Sequence, residues 1–372
     1  MKKKIAHILH AVGGVDVSLR VIINNVDDTA FENIIIHGLE DTKKPYFSKT
    51  KTPIQEYKLN IKRNISPIND LIAIYKTRKI IKHEKVNLIH AHSAKGGLIA
   101  RLAGLFLGIT VLHTPQAYSY LSTSNKVARF VYLSVERVLK YFNSILLASS
   151  KSELNRGLNE VNYKKENTLL FNNCIQEIKT IKPLTITKTW PDNYICTVGR
   201  PSYQKRLDMM IKALFEVKKQ QEEIHLVIMG VGFFSPDLEK IQKLIKNLDL
   251  THNITLLDWT SHENIYHIVS KSKLYLSTAR YEGLPYAVIE ALALSKALIV
   301  TDADGNRDLV IDNHNGYIIK NESELALKII KLLNDDALTK EFALNSKRLF
   351  NTNFNVDNNI FKLENHYKNY VN

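Results

Sequence analysis

Short apolar runs alternate with segments of helical spacing along almost the whole chain. In the first half the runs lie at 5–9, 33–37, 87–90, 110–113 and 144–149, and in the second at 194–198, 225–229, 254–257, 273–277 and 297–301. Runs this short, without polar alternation, read as strands buried on both faces, and the helical segments between them predict parallel sheets covered on each side. A stretch rich in Lys, Thr and Pro at 177–193 separates the two series. The pattern predicts two doubly wound α/β domains, 1–176 and 194–354, joined by a linker, with a last helix within about 355–372.

One helical segment, 125–144, has a distinctive pattern. At 100° per residue Lys126, Arg129, Glu136, Arg137 and Lys140 fall on one face, edged by Phe130 and Leu133, while Val127, Val131, Val135, Val138 and Phe142 form the opposite face. A basic face bordered by large apolar groups suits a helix lying on anionic lipid; a merely solvated charged face is the plain alternative.

Composition narrows the setting. A chain of 372 residues favours two domains over one, and 45% apolar with 24% charged residues is ordinary for a globular protein. Cys174 and Cys196, each among apolar neighbours, suggest buried free thiols in a reducing compartment. Residues 5–12 hold two histidines and are short for a secretory signal core, and the longest apolar stretch, 102–112, is too short to span a bilayer, so a cytoplasmic location is expected. The net charge of +14 is unevenly placed: residues 1–186 hold 28 Lys and Arg against 14 Asp and Glu, whereas 187–372 balance at 23 and 23. Such asymmetry predicts an anionic partner for the first half. No helix-turn-helix, zinc-finger or RNA-binding aromatic pattern is present, so a membrane surface is expected rather than nucleic acid.

The candidate chemistry lies at strand ends. Tyr281-Glu282-Gly283-Leu284-Pro285-Tyr286-Ala287-Val288-Ile289-Glu290 sets two carboxylates around a Gly and a Pro. Pro is favoured at a first helical position, so a helix is predicted to open at Pro285 and to aim the amides around Gly283 to Tyr286 at an anion. Glu290 falls on a helix of apolar neighbours, where an ionised group needs a partner such as a ribose diol. Upstream, Gly199-Arg200-Pro201-Ser202-Tyr203-Gln204-Lys205 leaves the strand at 194–198, and two cations on one loop can close on a diphosphate.

Together these segments resemble the large family of retaining glycosyltransferases of GT-B architecture that use nucleotide-diphosphate sugars. The family's E-x7-E signature falls on Glu282 and Glu290, and its G-R-x4-K loop on Gly199, Arg200 and Lys205. Gly13-Gly14-Val15, His90-Ala91-His92-Ser93 with Gly96-Gly97, Asn172-Asn173, the run from Thr301 to Asn306, and Asn315-Gly316 follow in family order, so the resemblance spans about 5–350. It implies two Rossmann-like domains facing a central cleft, with the last helix packed back on the first. It also implies that Arg200 and Lys205 neutralise the donor's diphosphate, Glu282 positions the sugar and Glu290 holds the ribose, with Gly14, Gly230, Gly283, Leu284 and Pro285 lining the donor site. Where relatives place a sugar-site His after the strand at 110–113, this chain has Gln116, so either His113 or Gln116 serves there. Asp308 stands where relatives often carry Glu, and Val15-Asp16-Val17-Ser18 departs from the usual glycine-loop continuation.

Other motifs have plainer explanations. Asp302-Ala303-Asp304 spells a metal-binding D-x-D, but a cationic loop already serves the diphosphate, so no metal or other cofactor is expected. His90 and His92 point the same way along a strand, without further ligands at a recognised spacing, and read as structural. Gly230-Val231-Gly232 lacks the third glycine of a dinucleotide fingerprint and reads as a loop that a nucleotide can approach closely. The expected activity is retaining transfer of a sugar, from UDP first and GDP second, to a glycan or lipid-linked acceptor in surface-polysaccharide assembly at the inner face of the cytoplasmic membrane. A sugar-nucleotide epimerase of the same architecture and a non-catalytic basic membrane- or nucleic-acid-binding protein are the alternatives.

Overall fold

The computed structural model describes residues 2–62, 64, 66–232 and 235–371. The chain divides into two compact units, Met1–Gln176 with Asn355–Asn372, and Glu177–Phe354. The first holds seven strands: β1 (Lys3–Ile8), β2 (Phe31–Gly38), β3 (Gln55–Leu59), β4 (Leu88–His92), β5 (Val111–Thr114), β6 (Ser144–Ala148) and β7 (Thr168–Leu170). All pair in parallel, in the order β3-β2-β1-β4-β5-β6-β7.

The second unit repeats the plan with β8 (Ile195–Val198), β9 (Leu226–Val231), β10 (Ile254–Asp258), β11 (Leu274–Ser277), β12 (Ala297–Thr301) and β13 (Gly316–Ile319), ordered β10-β9-β8-β11-β12-β13. Each sheet therefore reverses direction beside its first strand, the doubly wound arrangement whose crevice opens at the carboxyl ends of the strands. The loop after β1 carries Gly13 and Gly14, and the loop after β8 carries Gly199 to Lys205. Topology alone puts both at their sheet's switch point.

All ten runs picked out by apolar pattern are strands. The three strands that the pattern missed, β3, β7 and β13, lie at sheet edges. An edge strand has a neighbour on one side only and need not be apolar throughout: β3 reads Gln-Glu-Tyr-Lys-Leu and buries only Leu59.

Residues 177–193 run along the second unit, where the Thr185 amide donates to Asn264 Oδ1 at 3.0 Å and Lys188 Nζ to the Leu256 carbonyl at 2.9 Å. The last helix, Ile360–Tyr370, buries Leu363 and Tyr367 in the first unit's core against Ile5 and Phe31.

Helix Lys126–Leu139 corrects the amphipathic reading. Its valine side, read as the face opposite the basic one, is exposed at Val127, Val131, Val135 and Val138. The side read as a basic outer face turns inward: Glu136 is buried on Arg101, Arg137 Nε donates to the Glu160 carbonyl at 2.8 Å, and Lys140 Nζ to the Val161 carbonyl at 3.0 Å. The cause is Arg101, on helix Ser93–Gly104, whose buried guanidinium needs a carboxylate and finds it only on the charged side of the neighbouring helix.

Candidate functional site

In the second unit three loops at the carboxyl ends of β8, β11 and β12 are tied to one another. The loop from Gly199 to Arg206 folds back beneath itself: a Cβ on Gly199 would sit 3.2 Å from Lys205 Cδ, so glycine leaves the lysine its path. Arg206 then enters helix Leu207–Lys218 with φ of 51°. Thr278, just past β11, anchors this loop by donating to the carbonyls of Lys205 at 3.1 Å and Arg206 at 3.0 Å. The Arg280 amide donates to the Gln204 carbonyl at 2.8 Å, and Arg280 Nη1 to the Tyr203 carbonyl at 2.9 Å, with its guanidinium over the Tyr203 ring.

The result brings Lys205 Nζ to 2.8 Å from Glu282 Oε1, while Gln204 Nε2 donates to Glu282 Oε2 at 3.1 Å. Glu282 is itself propped from behind, its amide donating to the Asp304 carbonyl at 3.1 Å. Gly305, at φ of 77°, lies so close that a Cβ would fall 2.8 Å from the Gly283 carbonyl oxygen and 2.9 Å from Glu282 Cβ. Only glycine combines that left-handed backbone with that approach.

Helix Tyr286–Ala293 begins directly after, with Pro285 at its N-cap rather than at its first position. Pro285 still does what its ring favours, ending the loop where the helix begins, and its carbonyl accepts from the Val288 amide at 3.1 Å. Glu290, on this helix, is buried beside Tyr266 and His262, with Tyr266 Oη donating to Oε1 at 3.4 Å and His262 Nδ1 3.6 Å away. Burial first, then the neighbouring Glu290 carboxylate, holds the Tyr266 phenol well above its ordinary range. Gly230, at φ of 91°, ends β9 with its Cβ position 3.9 Å from the Arg200 amide nitrogen, so the backbones of the β8 and β9 loops lie side by side. The chemical character is plain: two basic side chains, helix amides and two carboxylates at one edge of one sheet, which suits a diphosphate flanked by hydroxyls.

The Asp302-Ala303-Asp304 carboxylates are engaged by one arginine, Arg307, which donates from Nε to Asp302 Oδ1 at 2.7 Å and from Nη1 to Asp304 Oδ1 at 2.8 Å. A cation there would have to displace a guanidinium.

The remaining candidates belong to the first unit. Gly14 opens helix Gly14–Asn25 behind an N-cap at Gly13, φ 61°. His113 is fully buried, its Nε2 3.3 Å from the Ser93 carbonyl and its ring against Gly97, and burial, followed by the Arg101 charge, lowers it to about 3. Gln116, partly exposed with φ of 53°, lies on the loop that follows. Of the two residues left open by the sequence, His113 is held in the interior, and Gln116 keeps its Nε2 buried without a hydrogen-bond partner.

The first unit also gathers a third histidine beside His90 and His92. His7, from β1, puts its Nδ1 3.0 Å from His92 Nε2, and the three rings offer nitrogens within 4.8 Å of one another. His7 Nε2 meets Asn33, while His90 is held by Tyr367 Oη at 2.7 Å and Thr114 Oγ1 at 3.0 Å. Only His92 Nδ1 is without a partner. Burial lowers all three, His7 to about 4, so they pack as neutral rings. Spacing hid His7, because adjacency across a sheet leaves no mark along the chain.

Sequence reasoning also passed over Gln204, Thr278, Tyr266 and Arg307. Gln204 lies among the variable positions of the G-R-x4-K loop, and the others contact the site only through the fold.

Residues 186–349 match the family model described as glycosyl transferases group 1. The Escherichia coli UDP-Gal:alpha-D-GlcNAc-diphosphoundecaprenol alpha-1,3-galactosyltransferase is 24% identical over 82% of this chain and 81% of its own. The Staphylococcus aureus poly(ribitol-phosphate) alpha-N-acetylglucosaminyltransferase is 32% identical over 39% of this chain and 29% of its own. Among solved structures, sucrose-phosphate synthase of Thermosynechococcus elongatus superposes with a TM-score of 0.83 at 17% identity, covering 99% of each chain. Anabaena HepE in complex with UDP and glucose superposes at 0.79 with 17% identity, covering 99% of this chain and 100% of that one. At such identities the superpositions speak to the GT-B fold.

Proposed function

We propose, for a chain that belongs to the glycosyl transferases of group 1, a retaining transfer of a sugar from a UDP-sugar to a hydroxyl of a lipid-linked glycan. Surface-polysaccharide assembly at the inner face of the cytoplasmic membrane is the setting. The observation that carries it is the 2.8 Å pairing of Lys205 with Glu282 at the mouth of helix Tyr286–Ala293, beside the Arg200 loop. An incoming diphosphate competes with Glu282 for Lys205 and frees the carboxylate to accept from the sugar's hydroxyls.

Arg200, Lys205 and the amides near Gly283 to Tyr286 stabilise the leaving diphosphate, the larger share of the rate enhancement in transfers of this kind. The bond from the sugar's anomeric carbon to the diphosphate oxygen breaks. The acceptor oxygen bonds to that carbon from the same face, and the acceptor's proton passes to the departing phosphate. Glu290, buried beside Tyr266 and His262, holds the ribose. No divalent cation has a role in this scheme. UDP as the carrier draws support from the donor in the E. coli relative's name and from the UDP in the HepE complex.

A thermal-shift panel of UDP-, GDP- and ADP-sugars tests the reading, since a ligand at a hundred times its Kd stabilises by about 2.7 kcal/mol. UDP-sugars should raise Tm most, without added metal. Equal silence from all three carriers would defeat the proposal.

A further inference from the structure

Helix Lys126–Leu139 carries its apolar side outward. Val127 is 72% exposed and Phe130 67%, with Val131, Val135 and Val138 exposed beside them. At 100° per residue these positions form one stripe along the helix, and the exposed Tyr141 prolongs it. Apolar side chains scattered singly over a surface need no explanation, but a continuous stripe does.

Charge selects what covers it. Glu136 is the only acid of this helix and is buried on Arg101, so the exposed helix surface carries no negative group. Lys126 is exposed at the amino end, at the edge of the stripe beside Val127 and Phe130. Glu160, close by, is paired with Arg156 and lies 3.9 Å from Arg129. A second copy laid stripe to stripe would set one half-chain of net charge +14 against another. An anionic surface with an apolar interior meets both the stripe and the charge.

The same face of the unit repeats the combination. The steps β3 to β4, β4 to β5 and β5 to β6 run in one direction across the sheet, so right-handed crossovers place helices Pro67–His83, Ser93–Gly104 and Lys126–Leu139 on one side. Ion pairs of Lys95 with Asp70 at 2.8 Å and Arg101 with Glu136 at 2.9 Å join the middle helix to its neighbours. Pro67–His83 exposes Ile68, Leu71 and Tyr75, with Lys79 over the tyrosine ring.

We infer that this helix layer is a docking surface for an anionic lipid bilayer. Phe130 and the valines sink among the acyl chains, and Lys126, at the edge of the stripe, and Lys79 meet the lipid phosphates. The inference deepens the membrane placement proposed above, and its readout does not depend on sugar transfer.

The test sediments the whole chain with vesicles of phosphatidylcholine alone or with phosphatidylglycerol added. The wild type should be retained on the anionic vesicles at low salt and much less on the neutral ones. The triple variant Phe130→Ser/Val131→Ser/Val138→Ser should lose on the order of a hundredfold in partition coefficient, since each tenfold takes only about 1.4 kcal/mol. Its Tm and its donor-induced thermal shift should match the wild type, because the three side chains are already in water. Lys79→Glu/Lys126→Glu should weaken retention, and more so at low than at high salt. Absence of wild-type retention, full retention of the triple variant, or equal binding to neutral vesicles would overturn the inference. So would a lipid-independent dimer that the triple variant dissolves, which assigns the stripe to a second copy. A wild type that binds vesicles but no sugar nucleotide counts against the enzymatic reading alone.

Discussion

Arg101 Nη1 meets Glu136 Oε2 at 2.9 Å inside the first unit, and this pair decides which side of helix Lys126–Leu139 faces water. Burial works against both charges, but each partner holds the other ionised: Glu136 below and Arg101 above its ordinary range. Arg101→Met leaves a buried carboxylate without its cation and should cost about 3–5 kcal/mol, whereas Arg101→Met/Glu136→Leu should recover most of it. Urea midpoints of the three proteins check this, and equal losses in the single and double variants would contradict it.

Lys205→Ala and Arg200→Ala should each lower turnover on the order of 10²- to 10³-fold at saturating donor, as expected when one preformed group facing a developing charge is removed. Steady-state assays with a UDP-sugar provide the check. Unchanged turnover in both variants would remove the phosphate-binding role.

Gly305→Ala forces a Cβ to within 2.8 Å of the Gly283 carbonyl oxygen on a backbone with φ of 77°. Strain of about 1–3 kcal/mol at such a position should push the Glu282 loop off the Gly199–Arg206 loop and weaken donor binding about tenfold. Calorimetric titration with UDP should show the loss. An unaltered Kd would mean that the loop yields elsewhere.

Buried neutral histidines set the acid side of the stability profile. His7 is lowered to about 4 and His113 to about 3, in each case chiefly by burial, while an unfolded histidine titrates near 6.5. The unfolded chain therefore binds more protons below pH 6.5, so stability is full above that pH and falls as pH drops toward 4 and then 3. Each such histidine should contribute a slope of about 1.4 kcal/mol per pH unit well below 6.5. Urea unfolding at pH 7, 6 and 5 samples this window before most carboxylates titrate. A flat profile would show that the rings are not held neutral.

The fold and the second unit's chemistry were legible along the chain for the same reason. A central strand of a parallel sheet is buried on both faces, so β9 and β12 appear as nearly continuous apolar runs, and β1 and β4 as apolar runs broken only by lysines at the start and by buried histidines. The loops that follow such strands carry their chemistry in consecutive residues, as Gly199 to Lys205 and Glu282 to Pro285 do. β3 escaped because its edge position leaves Gln55, Glu56 and Lys58 polar, and β7 and β13 because they are only three and four residues long. What only tertiary structure decided were matters of orientation and of distance between remote residues. Helix Lys126–Leu139 has two plausible inner faces, and Arg101, on another helix, chooses between them. His7 joins His90 and His92, and Glu290 meets Tyr266, because parallel pairing and helix packing bring together side chains far apart in sequence. Local periodicity records how much of a residue must be buried, but not which neighbour buries it.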